Sequence, residues 1–329
     1  MIPIKRNKHG IYMVTDLLEK GPCTPVVHHV GPRWVPEDGP VVRSLHKSCH
    51  VPALGWHHTT RDIPEGTPLV DVDANGAYLS ACSSADFAHC TLEHTGPMAA
   101  DAPILPGYYL TEVMPWQLGA PGSPLGTQDL RIGSLVWVTH CTLCLLRDLT
   151  FGANWGAQEG HWPALVIHDS WTADRMRFTK RDGTGWTDVI RDKRAALIAE
   201  GADQATRDGL KDGYSQAVQM WLTPPDPKGT PRERQQKKNI AYRPDWYHTV
   251  HSQHAAKMWR IAYLASLYGR APLAVGGGGG IAKDGMRFVE DDLTAFLTNP
   301  KANLRLDETG VKLGTFKRKG QRTYHGIDW

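Results

Sequence analysis

The order of apolar and polar positions gives a strand-rich first half and a helix-rich second half. Leu69-Val70-Asp71-Val72-Asp73 is an apolar run carrying aspartates, Asn75-Gly76 reads as a turn, and Ala77 to Ser84 starts a helix. Tyr108 to Val113, Val136 to His140 and Trp162 to His168 read as strands, and Cys141-Thr-Leu-Cys144-Leu-Leu as a helix capped by Thr139. Thr187 or Asp188 can cap a helix carrying Ile190, Leu197 and Ile198, which Gly201-Ala202-Asp203 breaks. Leu210, Tyr214, Ala217, Val218, Trp221 and Leu222 then recur at helical spacing, with Arg207, Lys211, Ser215 and Gln219 on another face. These two segments predict an antiparallel helical hairpin that presents cations. Asp245 can cap a long helix to about Tyr268, with Val250, His254, Met258, Ile261 and Ala265 on one face and Gly269 as its stop.

Composition narrows the class. The chain has 329 residues, 41% hydrophobic and 22% charged, an ordinary globular balance. Its net charge of +3 does not by itself argue for nucleic acid. No apolar run is long enough to span a membrane, and the start lacks the apolar core of a secretory signal. The cytoplasm is the expected compartment, with the six cysteines reduced. His28, His29, His46, Cys49, His50, His57 and His58 make the first sixty residues rich in soft ligands; their spacing matches no zinc pattern, and zinc there stays open. Lys228, Arg232, Arg234, Lys237, Lys238 and Arg243 set six cations against one acid in a stretch composed like a solvated loop, suited either to bare solvent or to a phosphate backbone.

Three segments together resemble family B DNA polymerases. Asp73-Ala-Asn-Gly-Ala-Tyr78-Leu79-Ser80 is similar to the first palm motif, an aspartate and a short turn followed by Leu-Tyr-Pro-Ser. Ile190-Arg191-Asp192-Lys193-Arg194 and Leu210-Lys211-Asp-Gly-Tyr-Ser215-Gln216-Ala-Val218-Gln219 resemble the two fingers helices, with Lys211 on the motif lysine and the other motif positions altered. Pro272-Leu-Ala-Val-Gly276-Gly-Gly-Gly-Gly280-Ile-Ala282 follows the long helix, as the third palm motif does, but Gly277 and Gly279 stand at the two aspartate positions. Leu313 to Arg318 resembles the strand that follows.

The resemblance implies an α+β fold: a palm of antiparallel sheet backed by helices, a helical-hairpin fingers element and an irregular N-terminal lobe, without thumb or exonuclease. The expected division is 1–67 for the His/Pro-rich lobe, 68–186 for the first palm part with an insertion, 187–223 for the fingers, 224–244 for the basic loop and 245–329 for the second palm part. It also implies that Arg191, Lys211 and Tyr78 contact a deoxynucleotide, and that Asp73, with Asp71, holds Mg2+ or Mn2+ if there is any activity. With glycines at the degenerate metal positions, the expectation is an inactive polymerase-like protein. It would bind nucleic acid, DNA foremost and RNA as the alternative, in replication or regulation of a mobile element. Two alternatives stand beside it: an active nucleotidyltransferase with a non-standard metal site, and an interaction protein on a borrowed fold. Protein partners are not legible.

Overall fold

The computed structural model describes residues 45–57, 61–89, 91–222, 243–277, 282–300 and 302–326. The chain runs β1 (Cys49–His50), β2 (Trp56–His57), β3 (Pro68–Ala74), α1 (Ala77–Ser84), β4 (Phe87–Ala88), β5 (Glu93–His94), β6 (Gly107–Glu112), β7 (Leu135–Thr139), α2 (His140–Phe151), β8 (Ile167–Thr172) and β9 (Arg175–Met176). It continues through α3 (Trp186–Ala199), α4 (Gln204–Met220), α5 (Pro244–Leu267), β10 (Ala274–Val275), β11 (Gly285–Val289), α6 (Glu290–Leu297) and β12 (Phe316–Thr323).

Two five-stranded sheets organise the molecule. The first has the order β12-β3-β11-β10-β2, and every pair in it is antiparallel. The second is β1-β7-β6-β8-β5, antiparallel except for the β1–β7 pair. Alternation along β3 sends Val70, Val72 and Ala74 to one face of the first sheet. There they join Met286, Phe288 and Phe316 in a core completed by Met258, Trp259, Ile261 and Ala262 of α5. The same core takes in Tyr109, Val136 and Val138 of the second sheet and Leu143, Leu145, Leu146 and Leu149 of α2, so α5 serves both sheets. The other face of β3 is left for Asp71 and Asp73.

A second core lies under α3 and α4. Phe87, Phe178, Trp186, Trp221 and Trp246 meet ring against ring, with centroids 4.4 to 6.3 Å apart. Such rings bury large areas and prefer tilted or edge-on contact. They anchor the hairpin on α1 and the start of α5.

Several expectations shift in detail. Helix α3 begins at Trp186 with Gly185 as its cap, and Asp188 lies inside the first turn, accepting from the Lys180 amide. Asp203 caps α4 by accepting from Thr206, and Thr139 caps α2 by accepting from Thr142. The strand expected over 162–168 begins only at Ile167, because Pro163 cannot donate to a ladder. Nor do the described residues of 1–67 form a lobe apart, since β1 extends the second sheet and β2 the first. No helix among the described residues is long and apolar enough to cross a membrane.

Candidate active site

Asp73 stands at the end of β3, on the face opposite the core. Across the ladders its partners are Gly285 of β11 and Lys317 of β12. The chain then turns through Asn75 and Gly76 into α1. Gly76 has φ 59°, and a Cβ there would lie 2.8 Å from Leu313 Cδ2, so glycine is needed twice over. Asn75 is buried and donates to the Asp307 carbonyl and Thr315 Oγ1, tying the turn to the segment entering β12.

The second carboxylate is Asp284. It immediately precedes Gly285, and its carbonyl accepts from the Ala74 amide at 3.0 Å. Its carboxyl lies within hydrogen-bonding reach of the Asp73 carboxyl. Burial, and then the Asp284 charge, push the Asp73 pKa up, while Lys319 at 3.2 Å pulls it down. Asp73 Oδ1 is buried without a hydrogen-bond partner. Two carboxyls in contact with one oxygen unsatisfied are held together by a shared proton or by a cation between them. That donor set fits a hard divalent cation, which takes oxygen ligands and completes its shell with water and phosphate. No group of three or more His, Cys, Asp or Glu among the described residues is placed to hold a metal.

The expected pairing of Asp71 with Asp73 as metal ligands is corrected here. Asp71 accepts Arg287 Nε at 2.7 Å and Nη2 at 3.0 Å, and Arg322 at 3.1 Å. Arg287 bridges both of its oxygens and Arg322 shares one of them, so its charge is engaged within the sheet. The hairpin expected around the glycine run exists, with Ala274 and Val275 opposite Arg287 and Met286, and β11 paired to β3. Gly277 sits in the turn with φ 101°, against the Lys283 side chain. Gly279 lies outside the described residues. The carboxylate therefore comes from the far arm of the hairpin.

A cleft of about 840 Å³ opens above these groups. Tyr78 and Lys211 line it, with Tyr214 and Ser215 of α4. Arg191 does not line it; it is ion-paired to Asp188 at 2.8 Å and Asp192 at 2.9 Å. Arg194, one turn on, faces the cleft and donates to the Val311 carbonyl. Arg207, Lys283, Lys317 and Lys319 add further positive charge along the wall. The Tyr78 ring packs on His251 at 4.8 Å, and burial holds His251 and His254 neutral, with pKa values of about 4.

Of the basic loop, Lys228, Arg232, Arg234, Lys237 and Lys238 lie outside the described residues. Arg243 is buried, pairs with Asp245 at 2.7 Å and donates to the Ala88 carbonyl. It serves the interior and offers nothing to a phosphate backbone. Of the N-terminal histidines, His28, His29 and His58 lie outside the described residues, while His46 pairs with the Tyr108 hydroxyl and His50 with the Leu125 carbonyl.

Sequence reasoning weighed Asp284 at the far end of the hairpin and set it aside on strand geometry, and it missed Arg194 and Lys319. Arg194 was accessible, because it stands four residues after buried Ile190 and three before Leu197 and so shares their stripe. Asp284 was accessible as the residue heading the apolar strand Met286 to Val289. Lys319 was not, since its direction depends on a bulge in β12.

No protein-family model matches this chain, and no curated protein matches it. Solved structures do. Phi29 DNA polymerase complexed with single-stranded DNA superposes with a TM-score of 0.52 at 12% identity, covering 85% of this chain and 47% of the polymerase. An orthorhombic crystal form of Phi29 DNA polymerase gives 0.53 at 10% identity, over 86% and 48%. Its ternary complex with primer-template DNA and incoming nucleotide substrates gives 0.51 at 11%, again over 86% and 48%. The chain thus has a DNA-polymerase-like fold and spans about half the length of the polymerase chains it matches.

Proposed function

We propose that this protein is a polymerase-like, metal-dependent nucleotidyltransferase that binds nucleic acid and a deoxynucleoside triphosphate. The observation that carries the reading is the Asp73–Asp284 pair at the floor of a cation-lined cleft. Asp73 and Asp284 would hold the divalent cation, which supplies charge neutralisation at the phosphates and a more acidic attacking hydroxyl. Lys211 and Arg194 approach the cleft from adjacent helices, in the way a palm and fingers would hold a triphosphate, and stabilise charge developing on the leaving pyrophosphate. Tyr78, fixed against His251, forms a wall for the sugar and base. Exposed cations of β12 beside Asp73 suit the backbone of the strand being extended. A role in replication of a mobile element follows from the family resemblance alone.

Primer extension with Mg2+ or Mn2+ tests this. Extension by the unmodified chain, lost in both Asp73→Ala and Asp284→Ala, is the expected result. No extension, with nucleotide binding retained, would favour the second reading, a catalytically silent binding protein. That reading draws on the small carboxylate count, two where a two-metal site wants more.

A further inference from the structure

Lys319 is the odd residue of β12. Arg318 pairs with Val72 and Gly320 with Asp71, so Lys319 is the extra residue of a β-bulge and has no partner across the ladder. Bulges re-aim side chains, and this one turns the ammonium to Asp73, 3.2 Å from Oδ2. The Lys319 side chain is 53% exposed, while that of Asp73 is 11% exposed. The lysine therefore caps the carboxylate on its solvent side, where its own flexible stem lets it leave. Arg322, three residues on, is 57% exposed and rests on Asp71, which keeps its two Arg287 bonds without it. Lys317, opposite Asp73 in the ladder, lines the cleft.

We infer that Lys319 is an exchangeable counter-ion: it caps Asp73 in the free protein, and a nucleic-acid phosphate draws it away, leaving the Asp73–Asp284 pair open to the metal. This rests on the proposed reading that the pair holds a divalent cation. An ammonium beside a carboxylate lowers that site's affinity for a second cation. A phosphate that takes the ammonium restores the affinity, and by linkage the bound metal tightens the strand in return. Nucleic-acid binding and metal loading are thereby coupled through one side chain. Because Lys319 is half exposed and the pair screened, the coupling is modest.

Free Mn2+ measured by electron paramagnetic resonance reads this without any turnover. Wild type, Lys319→Gln and Lys319→Arg are titrated at low salt, with and without a short single-stranded oligodeoxynucleotide whose own Mn2+ uptake is subtracted. The oligonucleotide should tighten Mn2+ binding to wild type by about fivefold. Lys319→Gln should bind Mn2+ that tightly from the start and gain nothing from the oligonucleotide, and Lys319→Arg should follow wild type. Equal affinities in wild type and Lys319→Gln, or an equal oligonucleotide effect on both, would overturn the inference. So would the same tightening from inorganic phosphate at matched phosphate concentration. If Mn2+ binding is lost in Asp73→Asn yet indifferent to Lys319, only this inference fails. If no Mn2+ binding depends on Asp73 or Asp284, the proposed function fails with it.

Discussion

Asp73 and Asp284 reach one another from the facing ends of two adjacent antiparallel strands, Asp73 standing next to last in β3 and Asp284 entering β11 one residue before Asp73's own ladder partner, Gly285. Of the Asp73 oxygens, Oδ2 is met by Lys319, while Oδ1 is buried without a hydrogen-bond partner. That frustration costs stability in the free protein and becomes favourable only when positive charge is supplied, a pattern found where function sets the geometry.

The first consequence concerns Asp284. Asp284→Asn keeps size and backbone but removes half of the anionic charge at the pair. Primer extension should fall by about 10²-fold or more, the scale of losing one preorganised electrostatic element. Placing carboxylates on the glycine run, as in Gly277→Asp, should not restore it, because Gly277 faces Lys283. Recovery by Gly277→Asp would return the metal site to the near arm of the hairpin.

The raised Asp73 pKa has a signed effect on stability. A carboxyl whose folded pKa exceeds its unfolded value favours folding when protonated, and that contribution is lost as pH rises through the folded pKa. At neutral pH without divalent cations, Asp73→Asn should therefore raise Tm by about 1–3 °C. The advantage should vanish in acid, below the unfolded carboxyl range, and shrink when Mn2+ is added to wild type. Thermal scans over pH check this, and a lower Tm for Asp73→Asn at pH 7 would contradict it.

Arg191 and Arg194 separate surface charge from site charge. Arg194→Ala should weaken nucleotide binding about tenfold, since it removes a charge-assisted donor from the cleft wall. Arg191→Ala, already spent on Asp188 and Asp192, should change affinity less than twofold. Fluorescent-nucleotide titrations decide it, and the reverse ranking would show that the cleft is not the nucleotide site.

How much of this was legible in the chain depends on the kind of signal. The long helix, the hairpin of α3 and α4 and the strand carrying Asp73 follow from periodicity, which acts locally, although Asp245, expected as the cap of the long helix, lies inside its first turn after Arg243 and Pro244. The ladder around the glycine run followed from motif order. The site residues were harder, because motif spacing pointed to Asp73, Tyr78 and Lys211 but put the other carboxylate positions on Gly277 and Gly279, whereas Asp284 stands at the head of the opposite arm. Arg243 looked like part of a basic run; only the tertiary structure reveals Asp245 and the Ala88 carbonyl as its partners. Asp71 and Asp73 share a strand face, yet only the cross-strand neighbours, two arginines against one lysine, tell them apart.

Arg243 supplies the last prediction. The basic loop was expected to use it on nucleic acid, whereas the structure buries it beside Asp245 and against the Trp246 ring, 4.0 Å from the centroid. Truncating one partner of a buried ion pair leaves the other charge uncompensated and typically costs about 3–5 kcal/mol. Arg243→Ala should accordingly lower the unfolding free energy by about that much in denaturant titrations. Its effect on nucleic-acid binding should then track the folded fraction. Measured where the variant is still folded, the slope of log affinity against log salt should match wild type, since no phosphate contact has been removed. A slope smaller by about one unit in a variant of undiminished stability would put Arg243 back on the nucleic-acid surface.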